Sequence, residues 1–116
     1  MRKDDWVRLR HMVEASKEII SFTANENRQS LDQNRMLVLS LVRSIEIIGE
    51  AAIKVTKEFQ NEHPQIPWAQ IIAMRHRLIH AYFDVDLDRV WDTANKDIPS
   101  LLATLEKIVP SKPPAA

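Results

Sequence analysis

Between Leu31 and Phe59 the positions Leu31, Asn34, Val38, Leu41, Ile45, Ile48, Ala52, Val55 and Phe59 step alternately by three and four residues. A mean step of about 3.5 is the spacing of a helical seam packed against other helices. No helix buries such a seam alone, so the chain has to be a bundle with this segment as its spine. Leu37, Ile47 and Ile53 lie off the seam, and a helix apolar on more than one side needs more than one neighbour, which points to a partner chain. The sole glycine, Gly49, also falls inside the spine. It costs about 1 kcal/mol relative to alanine there, and the usual compensation is the close approach of another backbone.

The rest of the sequence agrees with an all-α fold. All six prolines follow Gln60, leaving the first half free for long helices. A chain of 116 residues has room for one domain, expected over 1–109, with the polar "PSKPPAA" of 110–116 as a disordered tail. There is no cysteine, which excludes disulfides and thiolate metal sites. Sixteen basic residues balance sixteen acidic ones, so no overall field draws the chain to nucleic acid and any RNA contact must be a local patch. No apolar run resembles a signal peptide or reaches the roughly 18 residues of a membrane span, and a cytoplasmic protein is expected.

Around the spine the pattern predicts an up-and-down bundle of four main helices plus a short or kinked C-terminal one. Trp6, Leu9, Met12, Val13, Ile19 and Ile20 form the stripe of a first helix, capped by Asp4 or Asp5 and ending near Phe22. "TANENRQS" reads as a connection with Asn27 or Ser30 starting the next helix. Pro64 and Pro67 stop the spine, and a further helix is expected from Trp68 to Tyr82. Asp86 suits the N-cap of the last segment, with Val85 and Val90 at hydrophobic-staple spacing, and Pro99 has to kink or split it with Asp97 as a second cap.

The stretch "MRHRLIHAYF", Met74 to Phe83, concentrates ionisable chemistry in an otherwise apolar element. On an ideal helix Arg75 and His80 stand about 140° apart, His76 and His80 about 40°, and Arg75 and Tyr82 about 20°. One copy therefore does not bring Arg75 beside His80, whereas two copies across a twofold axis could pair one chain's arginine with the other's histidine. The functional reading is a composite site in a homodimer. Two other readings stay open: a solvated polar surface, and a metal held by His76 and His80, two histidines four apart that lack a Glu-x-x-His partner.

"RSIEIIGEAA" (Arg43 to Ala52), "IPWAQIIAMRHRLIHAYFDVDLDRVW" (Ile66 to Trp91) and "DIPSL" (Asp97 to Leu101) together resemble the HepT-like branch of the HEPN superfamily. Those proteins are toxin ribonucleases encoded beside a minimal nucleotidyltransferase antitoxin of the MntA type. The resemblance covers almost the whole chain and implies a homodimeric HEPN bundle. It also implies a type VII toxin–antitoxin system, an RNA substrate and a reaction that needs neither metal nor cofactor. The family's Arg-x4-His-x-Tyr pattern falls on Arg75, His80 and Tyr82, while His76 stands where an asparagine or another polar residue is usual.

Those residue types suit metal-independent cleavage. Histidine, with a pKa of about 6.5, can take the proton of a 2′-hydroxyl and protonate the leaving 5′-oxygen. A guanidinium fork matches phosphate oxygens. The expected roles are His80 as acid/base and Arg75 as phosphate clamp, with Arg77 a candidate RNA contact. By the resemblance, Tyr82 is the hydroxyl that the partner nucleotidyltransferase would modify with AMP. Arg43, Glu46, Glu50 and Lys54 share one stripe of the spine, either as a surface charge ladder or with Glu50 orienting Arg75. The alternative function is a catalytically inactive HEPN regulatory or nucleic-acid-binding module.

Overall fold

The computed structural model describes residues 1–81 and 84–115, with His80 and Ala81 as backbone only. The expected seam is buried almost as written: Leu31, Val38, Leu41, Ile45, Ile48, Ala52, Val55 and Phe59 all belong to one core, and Asn34 alone is exposed. The spine itself is cut twice. It comprises α2 (Ser30–Gln33), α3 (Arg35–Lys54) and α4 (Lys57–Glu62). At the first cut the Asn34 side chain accepts a hydrogen bond from the Leu37 amide at 3.1 Å, capping α3. At the second, Thr56 Oγ1 accepts from the Phe59 amide at 3.2 Å, capping α4. Both are residues whose short polar side chains compete with the helix for backbone groups.

The second cut is tied to the first helix, α1 (Lys3–Thr23). Asp5 does not cap α1, whose N-cap is Arg2 without a side-chain bond. It is buried instead, accepting from the Thr56 amide at 2.9 Å and the Thr56 hydroxyl at 2.7 Å. Gln60 of α4 completes the joint, donating to the carbonyls of Val55 at 3.0 Å and Ala52 at 3.3 Å at the end of α3. From the stripe of α1, Leu9, Met12, Val13 and Ile19 are buried, whereas Ile20 faces outward.

Helix α1 packs along α3 and against the last helix, and α5 (Trp68–Leu78) packs on another side of α3. Gly49 permits this second packing: a Cβ there would stand 3.3 Å from the Ile71 carbonyl oxygen of α5. The helix expected to reach Tyr82 ends at Leu78. Ile79–Ala81 (β1) and Asp84–Val85 (β2) form a small antiparallel ribbon with an irregular register, closed by the Asp86 amide donating to the Leu78 carbonyl at 2.7 Å. This segment is rich in β-branched and aromatic residues that favour extended backbone over helix.

Asp86 then caps α6 (Leu87–Asp92), accepting from the Arg89 amide at 3.1 Å. Pro99 neither ends the segment nor brings in Asp97 as a cap; Asp97 is helical and makes no side-chain cap bond. The helix widens into a π turn over Thr93–Asp97 and continues as α7 (Ile98–Ile108). A wider turn makes room for the proline ring and its missing N–H. Arg28, between α1 and α2, donates to Asp88 at 2.6 Å and to Asp32 at 3.3 Å, clasping α6 to the start of the spine. The hydrogen-bonded Asp88 raises the guanidinium's pKa above its ordinary value, against partial desolvation and with help from Asp32. A raised pKa on a base means that the guanidinium side of this link stays charged throughout the ordinary pH range. Trp6 Nε1 donates to the Pro110 carbonyl at 2.8 Å, fastening the start of the C-terminal segment to α1. Among the described residues no helix is long and apolar enough to cross a membrane.

Candidate active site

Helices α3 and α5 run antiparallel, as their paired positions show: Ile71 meets Gly49, and one turn further along α5 Arg75 meets Glu46. Arg75 Nε lies 3.4 Å from Glu46 Oε2, with the guanidinium side chain half exposed and the carboxylate mostly covered. Arg43 reaches Glu46 at 3.7 Å and Glu50 at 3.4 Å. The result is a surface relay, Glu50 to Arg43 to Glu46 to Arg75, with two charges of each sign. Glu50 thus pairs with Arg43, and Glu46 is the carboxylate on Arg75. From spacing alone Glu46 belongs to the charge ladder of the spine and has no visible tie to the arginine. The signal that could have found it is Gly49, since a backbone contact there in an antiparallel pair sets Arg75 level with Glu46.

An exposed ion pair of this kind is worth about 0.2–1 kcal/mol, so Glu46 orients the guanidinium without locking it. Half exposed, the Arg75 guanidinium can present N–H donors to a phosphate. His76 is exposed on the next position of α5. Arg77 points elsewhere: its Nη2 donates to the Gln70 carbonyl at 2.8 Å, at a cleft of about 300 Å³ between α5 and α7 that Asp97 also lines. The structure thus separates Arg77 from the relay around Arg75.

His80 follows Arg75 by five residues, but the chain between them leaves the helix at Leu78, so the helical angles expected for His80 do not apply. Its backbone lies in β1, directly after the helix that carries Arg75. The His80 side chain and the whole of Tyr82 lie outside the described residues. Among the described residues no group of three or more His, Asp or Glu is gathered as a metal site.

A family model described as ribonuclease HepT-like matches residues 12–108, a span that contains the relay, α5 and the Arg-x4-His-x-Tyr positions. A Methanocaldococcus jannaschii protein named "Putative RNase MJ1216" is 38% identical over 98 residues, covering 84% of this chain and 81% of that protein. "Probable ribonuclease HepT" of Thermococcus cleftensis is 38% identical over 100 residues, covering 86% of this chain and 91% of that protein. No solved structure matches the chain.

Proposed function

Because the chain belongs to the HepT-like ribonuclease family, we propose that it is a metal-independent endoribonuclease acting at a site shared by two copies. The observation that carries this reading is the retention of Arg75 and His80 inside the matched span, with the Arg75 guanidinium half open beside Glu46. His80 takes the proton of an RNA 2′-hydroxyl, whose oxygen forms a bond to phosphorus as the bond to the 5′-oxygen breaks. A histidine returns a proton to the departing oxygen, and Arg75 neutralises the charge gathering on the phosphorane. The products are a 2′,3′-cyclic phosphate and a 5′-hydroxyl. DNA, which lacks the nucleophile, is not cut.

The test is cleavage of labelled RNA in EDTA. Arg75→Ala and His80→Ala should each remove activity by about 10²-fold or more with unchanged helicity. Full activity in either variant overturns the assignment, and strict metal dependence revives the pairing of His76 with His80 as ligands.

The biological setting in this reading is a cytoplasmic type VII toxin paired with a cognate MntA-type nucleotidyltransferase. The partner would join AMP from ATP to the Tyr82 hydroxyl and release pyrophosphate. The attached phosphate would bring negative charge and bulk toward the arginine clamp. With partner and ATP, wild-type protein should gain the mass of an adenylyl group while Tyr82→Phe gains none and stays toxic. An adduct of unchanged stoichiometry on Tyr82→Phe would place the modification elsewhere.

A further inference from the structure

The relay that begins at Arg75 ends at Glu50, and Glu50 also stands at the rim of a recess between α1 and α3. The other lining residues are Arg8 and His11 from α1 and Ile47, Ala51 and Lys54 from α3. They meet because the two helices run antiparallel, with Asp5 of α1 bonded to Thr56 just past the end of α3. Arg8 and His11 are three apart, and Ile47, Ala51 and Lys54 step by four and three, so each helix turns one flank to the recess. Half-buried Ile47 and buried Ala51 make an apolar floor, and the polar side chains form the rim.

The cations of this rim differ from most of those already described. Arg10, Arg28, Arg43, Arg75, Arg89 and Lys96 each lie against a carboxylate. Among the described residues Arg8, His11 and Lys54 lie against none, and the one carboxylate of the rim, Glu50, is engaged by Arg43 at 3.4 Å. Asp4 and Glu18 share this flank of α1, before Arg8 and beyond His11, and pair with neither. Two fixed positive charges and a histidine thus converge on a space of about 110 Å³. That is more than a water molecule needs and well below the roughly 300–1,000 Å³ of a small-molecule site. It suits a group the size of a phosphate. Guanidinium and ammonium donors match phosphate oxygens, and the His11 ring offers a further N–H even when neutral.

We propose that Arg8, His11 and Lys54 hold a backbone phosphate of the RNA strand at a subsite away from the cleaved linkage. The inference rests on the ribonuclease reading above and extends it. The recess is centred about 7 Å along α3 from Glu46, where Arg75 is held, and about a quarter turn round the helix. Exposed Arg43 stands between the two. A strand crossing this side of α3 runs from Arg75 over Arg43 to the recess, and meets four fixed positive charges against the two carboxylates Glu46 and Glu50. A chain of zero net charge needs such a local excess to hold RNA.

Phosphate contacts of this kind do not distinguish the sugar, so short single-stranded DNA, which is not cut, reports on the subsite without turnover. The double variant Arg8→Gln, Lys54→Gln should bind labelled DNA roughly fivefold more weakly at low salt, and the slope of log affinity against log salt should shrink by about 0.7–1. Neither side chain is bonded within the chain, so the fold is kept. Lys17→Gln is the control: this exposed lysine is about 180° from Arg8 on α1, and its loss should leave the slope unchanged. On RNA the double variant should lose in KM rather than kcat, and lose more on an oligonucleotide than on a dinucleotide, which ends before the recess. An unchanged salt slope, or an equal change in Lys17→Gln, would overturn the subsite. If wild-type protein cuts RNA while the double variant binds DNA undiminished, the ribonuclease reading stands and the subsite falls. If the double variant loses DNA binding as expected while wild-type protein cuts no RNA, the subsite stands and the ribonuclease reading falls.

Discussion

At the scale of single residues, Gly49 determines where the arginine of the candidate site stands. Alanine there gains about 1 kcal/mol of helix propensity, but its Cβ would meet the Ile71 carbonyl at 3.3 Å. The obstacle is backbone within a helix, so relief requires moving α5 as a body. Cores do not deform cheaply in that way. Gly49→Ala should therefore lower stability by about 1 kcal/mol net in urea unfolding, and should reduce RNA cleavage at temperatures where the variant is fully folded, because Arg75 moves with α5. A rise in stability would show that the interhelical contact is slack. Glu46 and Arg75, in contrast, form a half-exposed pair whose direct stability contribution is small. Their importance is positional, and it follows from the Gly49 contact one turn away.

At the scale of elements, the joint of α1, α3 and α4 carries a measurable coupling. Removing the buried Asp5 carboxylate leaves the half-buried Thr56 amide and hydroxyl without their acceptors, so Asp5→Ala should cost about 1–3 kcal/mol. Asn34→Ala removes an N-cap bond alone and should cost about 1 kcal/mol. Because Thr56 both caps α4 and binds Asp5, the double variant Asp5→Ala, Thr56→Ala should lose less than the sum of its singles by about 1 kcal/mol or more. Strict additivity in urea unfolding would deny the coupling.

The same joint explains what the sequence did and did not disclose. The buried seam was legible because periodicity reports which side of a chain is dry, and Leu31 to Phe59 stayed on that side through two breaks. The breaks were not legible: Asn34 and Thr56 fit a helical pattern until their side chains are seen to bind backbone amides. Asp5 looked like a cap because acidic residues favour helix starts, and only the return of the chain at Thr56 gives it a buried role. Pro99 announced an irregularity without saying that a π turn would absorb it. The end of α5 at Leu78 was missed because "LIHAYF" has apolar residues at spacings that suit a helix and side chains that suit a strand.

At the scale of the whole molecule, net charge is zero, so any attraction for RNA is local, and the proposed function places it at a site shared by two copies. The sequence singled out Arg75 and His80 as candidates, but not the carboxylate beside the arginine or the departure from helix between the two. A shared site makes a prediction that no single-chain site shares. Mix inactive Arg75→Ala with inactive His80→Ala and let the chains exchange. About half of the dimers are then mixed. In each mixed dimer one of two sites joins an intact arginine from one chain to an intact histidine from the other, so activity should return to about a quarter of the wild-type value. If arginine and histidine act within one chain, every site in every dimer lacks one of them and mixing restores nothing. Varying the ratio of the two variants at constant total protein sharpens the distinction: activity should pass through a maximum near equal amounts and be zero in each pure sample.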